Sequence, residues 1–480
     1  MKAIDDFLNN ITMYRLILYF LILLAVVGLI YSIARVLPFD PINYVFSFTF
    51  LLVVAGIANK VFSKVYEAHA NTESWIISAL ILGLIIAPPK SLHDVIFLGW
   101  AAVLMVTSKF VLTLGKKHIF NPVAVSVAIT AFAIGASADW WVGVSSMLPV
   151  VAIGGFLIIR KMKRWDMVLS FLIVALILIG PARWVRSVSD TPLIFFAAVM
   201  LTEPLTTPPT KTLRILYGAL VGLLFAPQVH LGSIYTTPEL ALIIGNIFSY
   251  IVSPKYKLVL TLKEKIRIAP DLYDFVFTSD KKINFRPGQY MEWTLEHTKP
   301  DSRGNRRYLS LASSPTEKEV RIGVKVGSPP SSFKKGLVNL TLGQKIVAGQ
   351  LIGDFTLPKD KNKKLVLIAG GIGITPFRSM IKYLIDTNQR RDIILMYSAK
   401  EGDFAYKDVF DQARSQLGIK TYYNVGRFEE NFILREVSDY KNRIFFLSGP
   451  KALVDGFTAA LRDLKVPHSQ IKTDYFPGFA

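Results

Sequence analysis

Arginine and hydroxyl side chains cluster in Arg307-Tyr308-Leu309-Ser310-Leu311-Ala312-Ser313, and a glycine-rich string follows at Ala369-Gly370-Gly371-Ile372-Gly373-Ile374-Thr375-Pro376. A guanidinium at Arg307 suits a diphosphate, and a hydroxyl at Ser310 suits the polar edge of a planar ring. Glycines let the backbone come close to a pyrophosphate, and a helix start just beyond them favours the anion. A third string, Ser448-Gly449-Pro450, ends a later apolar run. Together these residues suit a flavin held beside a nicotinamide dinucleotide, a pairing that serves hydride exchange. Taken singly, the first string also reads as a half-buried strand and the second as a structural turn.

The elements that must position these residues follow from the surrounding pattern. Residues 255–358 alternate apolar and polar over short runs broken by Gly and Pro, which predicts an antiparallel β-barrel. Its expected strands are Tyr256–Leu262, Leu272–Thr278, Tyr290–Leu295, Arg307–Ala312 and Val320–Val326. Phe285-Arg286-Pro287-Gly288-Gln289-Tyr290 precedes the arginine string, and Ser331-Ser332-Phe333 offers hydroxyls and helix-start amides to phosphate. Over 359–480 the pattern becomes strand–turn–helix, which predicts a parallel, doubly wound α/β domain with Ser448 at its switch-side edge.

In this order the strings resemble the ferredoxin–NADP reductase superfamily, across residues 256–480. The resemblance implies a flavin, FAD, held by Arg307, Tyr308, Leu309, Ser310, Ser331 and Ser332. It implies NADH or NADPH held by Gly370, Gly371, Gly373, Thr375, Pro376, Ser448, Gly449 and Pro450, with Ser310 and Ser448 as candidate catalytic hydroxyls. Leu309 stands where the family usually has Tyr or Phe, and Ser448 where it often has Cys; both departures bear on rate or flavin potential. Asp474-Tyr475-Phe476-Pro477-Gly478-Phe479 is similar to the family's terminal strand, whose aromatic, here Phe479, covers the flavin or packs at the sheet edge. Lys400 would favour a 2′-phosphate and Glu401 would oppose it, a balance that leans to NADH.

The first half of the chain is of another kind. The 480 residues are 52% hydrophobic, and nearly all long apolar runs lie in 13–254, assigned with the N-terminus to a membrane domain over 1–254. Segments near 13–33, 43–62, 74–89, 92–114, 119–137, 141–159, 166–181, 190–203, 213–229 and 236–253 predict a polytopic α-helical domain of about ten spans. One alternate set of loops holds Lys60, Lys64, Lys116, Lys117, Arg160, Lys161, Lys163, Arg164, Lys211 and Arg214; the other holds Arg35, Lys90, Arg183 and Arg186. The excess of positive charge puts the first set, both termini and the C-terminal domains in the cytoplasm. Met1–Asn10 is polar and the apolar stretch after it is long, so no signal peptide is expected. The net charge of +20 fits basic loops and anionic lipid headgroups, with no nucleic-acid partner expected.

Two polar stretches in that half exceed what an anchor needs. Lys116-Lys117-His118-Ile119-Phe120-Asn121-Pro122 places Asn at a helix cap and Pro at the first helical position. Thr202-Glu203-Pro204 through Lys211 puts a carboxylate at the end of an apolar run, at membrane depth or solvated at its boundary. With Pro88-Pro89 and Ser108-Lys109, these stretches resemble the NqrB/RnfD family of membrane proteins, over about residues 75–230. Members of that family belong to the sodium-pumping NADH:quinone oxidoreductase and to the Rnf complex. The resemblance implies a flavin-bearing, ion-moving membrane domain, with Asn121 and Glu203 on a relay or ion path. The family's threonine for a covalent flavin is missing, since the nearest string is Gly135-Ala136-Ser137; a noncovalent flavin in the membrane domain remains open.

The absence of cysteine excludes disulfides, cysteine-ligated iron–sulfur clusters and thioether-linked haem. The histidines, His69, His93, His118, His230, His297 and His468, lie outside the span interiors, which argues against paired haem ligands and against a ferric-reductase-like enzyme. The expectation is a membrane flavoprotein that takes electrons from NAD(P)H. It would pass them to a quinone, a bound flavin or a redox protein, in company with other electron-transport proteins. The competing expectation is a transporter or scaffold regulated by a nucleotide-binding module.

Overall fold

A computed structural model describes residues 2–9, 11–66, 72–114, 117–232, 234–253, 258–297, 301, 304–428 and 432–475. The chain divides into two compact units, Met1–Tyr256 and Lys257–Ala480.

The first unit is helical, because its apolar runs begin at good caps and continue without turn formers. Thr12 caps Met13–Ile33, Asp40 accepts the Ile42 and Asn43 amides at the head of Pro41–Val65, and a Ser91–Asp94 capping box opens Leu92–Val111. Among the described residues, these three helices of 21, 25 and 20 residues are long and apolar enough to cross a membrane. A fourth candidate, Trp165–Ile179 with Pro181–Ser189, bends by 103°. The ten segments read from the sequence therefore differ in kind. Thr72–Ile85, Pro122–Ile134, Leu148–Met162, Lys211–Phe225 and Pro238–Val252 have only 13–15 residues, about 20 Å at 1.5 Å per residue. The 190–203 segment breaks into the short helix Leu193–Phe195 and the wide-turned Phe196–Met200. Glycine and proline set these limits: Gly135 closes one helix with φ +68°, and Pro204, Pro208 and Pro209 bar continuation past 203.

One succession of elements occurs twice. Leu92–Val111 leads through the hairpin Thr113–Leu114/Lys117–His118 to the Asn121 cap and Pro122–Ile134. Lys211–Phe225 leads through the hairpin His230–Leu231/Ile234–Tyr235 to the Thr237 cap and Pro238–Val252. Each succession follows a Pro-Pro pair, Pro88-Pro89 or Pro208-Pro209. The two short capped helices pack on each other, and the Asn246 side chain accepts the Asn121 amide at 2.7 Å.

The second unit holds two sheets. The first is a six-stranded antiparallel sheet in the order Arg306–Ser310, Tyr290–Thr294, Lys345–Ile352, Leu258–Ala269, Leu272–Ser279, Val320–Lys325. Its inward alternation builds a core of Leu260, Phe275, Phe277, Trp293, Leu311 and Ile322. The sequence predicts a barrel; among the described residues the two edge strands meet through an Ala312 N–H to Arg321 carbonyl bond of 2.8 Å, without a continuous ladder. Lys345–Ile352, central in this sheet, is absent from the predicted strands. The second is a five-stranded parallel sheet in the order Lys420–Val425, Ile393–Ala399, Lys364–Gly370, Arg443–Gly449, Ile471–Tyr475. Its central strands are buried on both faces, as helix-covered parallel strands are.

At the end of the parallel sheet away from the glycine turn, Arg443 ties three strands together. Its guanidinium donates to both Asp392 oxygens at 2.8 and 3.1 Å and to Asp439 at 2.5 Å, and Lys364 donates to Asp439 at 2.8 Å. The hydrogen bond from Arg443, then that from Lys364, holds the Asp439 carboxyl down at about 2. A folded pKa below the ordinary carboxylate value adds stability above about pH 4, lost as pH falls through about 2. Asp439→Asn is expected to unfold more readily than the native chain at neutral pH, with the difference vanishing towards pH 2. Urea titrations at a series of pH values check this.

Candidate functional site

The glycine string lies where the strand Lys364–Gly370 hands over to the helix Thr375–Asp386, at the carboxyl edge of the parallel sheet. Gly371 takes φ +53°, a left-handed conformation that glycine adopts without strain, and a side chain there would meet nothing within 4 Å. That open face admits a phosphate group to the backbone. Gly373 is the opposite case, since a Cβ would stand 2.4 Å from the Ser448 carbonyl oxygen and 2.5 Å from Gly449 Cα. The turn therefore lies flush against Ser448-Gly449-Pro450, at the end of the neighbouring strand Arg443–Gly449. Thr375 is buried and returns its hydroxyl to the Ile372 carbonyl at 3.0 Å, and Pro376 occupies the first helical turn. Gly370, Gly371, Gly373, Thr375, Pro376, Ser448, Gly449 and Pro450 thus form one continuous edge. Their crevice is where the sheet's strand order reverses, the position at which open α/β sheets take ligands.

The other string forms the edge strand of the antiparallel sheet. Arg307 is buried, lies 5.2 Å from the Phe333 ring centre and donates to the Arg306 and Gly304 carbonyls. Tyr308 and Leu309 are half-buried, and the Tyr308 hydroxyl donates to Glu292 at 3.0 Å. Ser331 caps the helix Ser332–Asn339 by accepting the Lys334 amide. The Ser332 amide, read from the sequence as a phosphate donor, already donates to the Asp301 carboxylate at 2.9 Å. Asp301 is the local anion there. Phe479 falls outside the described residues.

Two of the candidate hydroxyls, Ser310 and Ser448, make no hydrogen bond among the described residues. Ser310 is 4% exposed and Ser448 0%. A buried hydroxyl left in that state costs about 1–3 kcal/mol. Both are candidates on sequence grounds alone, and a ring with polar edge atoms would complete them. With Arg307 and the open face at Gly371, the donor set fits FAD on the first sheet and a dinucleotide on the second.

Sequence reasoning misses Glu292, Glu317, Arg378 and Ser379. Arg378 donates to the Ala312 carbonyl at 2.9 Å and forks onto Glu317, and Ser379 donates to the Ser313 carbonyl at 2.6 Å. These bonds join the helix after the glycine turn to the chain just past Ser310. The available signal was two polar residues, Arg378-Ser379, inside a fully buried first helical turn.

In the first unit, Asn121 and Glu203 meet although 82 positions apart: the Asn121 amide group donates to Glu203 Oε2 at 3.0 Å while its oxygen caps Val123 and Ala124. Asn121 thus serves both readings of its string. Thr206 also donates to Glu203 at 3.0 Å, and His118 Nε2 lies 3.6 Å away. Asn246 and Tyr217, both buried, extend the cluster. At the second capped helix, Trp140 Nε1 donates to buried Glu239 at 2.7 Å. Asn246 and Glu239 were visible as polar residues within an apolar run.

Comparison with known proteins adds the following. Residues 367–443 match the oxidoreductase NAD-binding domain family. The chain is 28% identical over 219 residues to the flavohemoprotein of Halalkalibacterium halodurans, covering 40% of this chain and 52% of that protein. It is 25% identical over 235 residues to the flavohemoprotein of Oceanobacillus iheyensis, covering 44% and 57%. The chain therefore spans about half the length of the relatives it matches. Among solved structures, the FAD/NAD binding domain of nitric oxide dioxygenase from Vibrio cholerae is 20% identical, covering 45% of this chain and 98% of that one, with a TM-score of 0.40. The second unit is thus similar to flavohemoproteins in sequence, and within it residues 367–443 are similar to the oxidoreductase NAD-binding domain family.

The contrast between the glycine and the serine is measurable. Gly373→Ala is expected to destabilise the second unit by about 1–3 kcal/mol, because backbone must move to admit the methyl. Ser448→Ala removes a buried hydroxyl that has no hydrogen bond among the described residues and is expected to leave stability unchanged or raise it, by up to about 1–3 kcal/mol. Denaturant unfolding of the two variants checks both.

Proposed function

We propose that the chain is a membrane-bound, flavin-dependent NAD(P)H oxidoreductase. The observation that carries this reading is the pair of buried hydroxyls, Ser310 and Ser448, that make no hydrogen bond among the described residues. One lies on the strand that bears Arg307; the other lies at the strand end beside the glycine turn. Bound FAD would supply the step from two-electron acceptance to one-electron release. The division is a flavin domain over 255–358 and a dinucleotide domain over 359–480. Arg307 neutralises a diphosphate, with Tyr308, Leu309 and Ser310 along the ring and Ser331 supporting the phosphate side. Gly370, Gly371, Gly373, Thr375 and Pro376 cradle the dinucleotide, and Ser448, Gly449 and Pro450 border the nicotinamide. Support comes from the NAD-binding family match over 367–443 and from the similarity to flavohemoproteins.

Membrane residence draws support from the surface. Among the described residues, exposed large apolar side chains concentrate between Phe7 and Ile251, and the second unit carries only Ile266, Leu342, Val425 and Leu434. Such a surface suits lipid contact. The short helices would reach across in combination, as the wide-turned Phe196–Met200 and the two capped helices suggest, giving the multi-pass domain with a cytoplasmic reductase. The electron acceptor would be a quinone, a second flavin or a redox protein. The Asn121–Glu203 cluster would serve as a relay or ion path, as in the sodium-pumping and Rnf membrane proteins that this half resembles.

Adding NADH anaerobically to the purified full chain is expected to bleach flavin absorbance near about 450 nm, a property of the cofactor. A chain that binds NADH without bleaching would instead be a membrane protein regulated by a nucleotide-binding module. Two flavins per chain would assign one to the membrane half.

A further inference from the structure

Asp274 lies on the strand Leu272–Ser279 at 2% exposure, where a carboxylate must be partnered to be tolerated. Arg321 of the adjacent strand donates to it at 2.8 Å, and the Tyr406 hydroxyl donates to its other oxygen at 2.9 Å. Tyr406 belongs to the dinucleotide side, just before the helix Lys407–Leu417, and holds φ at 59°, an uncommon conformation for a bulky residue. Its ring centre lies 5.5 Å from the Arg378 guanidinium, which is itself forked onto Glu317 and bonded to the Ala312 carbonyl. Asp274 stands opposite Gly323 in the strand register. A Cβ at Gly323 would come within 2.7 Å of Ile372 and Thr375 and 2.8 Å of the Tyr406 hydroxyl. The dinucleotide turn is therefore seated on the antiparallel sheet at a bare glycine, beside a buried polar bond.

Apolar packing already joins the two sheets through Leu272, Ala312, Phe355 and Leu357. Adhesion alone does not need buried charge, which costs desolvation; directional hydrogen bonds add a single seating. We infer that Tyr406 is a positioning residue which, with Asp274 and Arg378, latches the Gly371–Thr375 turn onto the Val320–Lys325 strand. The latch thereby fixes the separation of dinucleotide and flavin. This rests on the redox reading proposed above. A displacement of about 1 Å at such a site costs on the order of a hundredfold in rate.

The test uses the full chain and three readouts: hydrogen exchange of amides 371–375 and 320–325, the Kd for NAD+, and the rate of flavin bleaching at saturating NADH. In Tyr406→Phe, exchange of those amides is expected to quicken about tenfold or more, because local opening is less opposed. Bleaching is expected to slow by roughly 10- to 100-fold, while the Kd for NAD+ moves less than about threefold, within about 0.7 kcal/mol. Gly323→Ala, which wedges the same seat with a methyl against Ile372, Thr375 and the Tyr406 hydroxyl while leaving every hydrogen-bonding group present, is expected to give the same pattern. Unchanged exchange and rate in both variants would overturn the latch. So would a fall in rate matched by an equal fall in NAD+ affinity, or loss of flavin from both variants, since the network would then be part of the binding surface or the fold. A native chain that NADH does not bleach sinks the redox reading instead, and the exchange data still judge the latch.

Discussion

Everything at the carboxyl edge of the parallel sheet depends on one steric constraint: the backbone at Gly373 lies against the Ser448 carbonyl with no room for a methyl group. Because of it, the helix Thr375–Asp386 starts at the edge of the strand Arg443–Gly449, and its first turn borders the crevice. A Cβ at Gly449 would stand 3.0 Å from the Gly370 carbonyl oxygen, a looser approach that still brings the two strand ends together. A side chain at either place would push the helix start away from the sheet and open the corner to water. Flush packing creates the dry, narrow edge on which a hydroxyl such as Ser448 is buried with no hydrogen bond among the described residues.

That edge would still be adrift from the other sheet without the seams that join them. One runs from Ala312, Ser313 and Glu317 to Arg378 and Ser379, and the other from Asp274 and Arg321 to Tyr406. The first begins two residues beyond Ser310, so the strand that bears Arg307 continues directly into the contact that holds the glycine turn. Geometry at one string is thus transmitted to the other through a few residues of rigid backbone. Each seam is a largely buried ionic or hydroxyl network in which every polar side chain makes at least one hydrogen bond, with Arg378 Nε the atom that finds none among the described residues.

How much of this was legible in the sequence follows from the range of the forces. The glycine turn and the strands Tyr290–Thr294 and Arg306–Ser310 depend on local spacing and on turn formers, and they lie where the pattern puts them, within a residue or two. The strand Lys345–Ile352 was missed because Gly349 and Gln350 interrupt its alternation; it owes its place to pairing with two neighbours far off in sequence. Asp274 and Tyr406 read as ordinary strand and loop residues, since their meaning lies in a contact between residues 132 positions apart. Ser332 is the opposite case: its local setting suits a phosphate, and its amide donates to Asp301, 31 positions away.

The first unit sharpens the same lesson. Apolar length suggested ten comparable crossings, yet hydropathy cannot distinguish a full span from a short helix whose cap is buried among other helices. The distinguishing marks were the punctuating prolines and the Asn121 and Thr237 caps, which recur with the same hairpin before them. A helix that begins inside an apolar unit exposes free amides there, and those amides need acceptors. The buried Asn121 side chain meets two of them and Asn246 accepts the amide of Asn121 itself, whereas Thr237 caps its helix at an exposed start. Glu203, held by Asn121 and Thr206, adds negative charge at the positive end of its helix. The polar cluster in this unit is thus a consequence of its short helices: once a helix starts at such depth, a cap and a nearby carboxylate are what make the start stable.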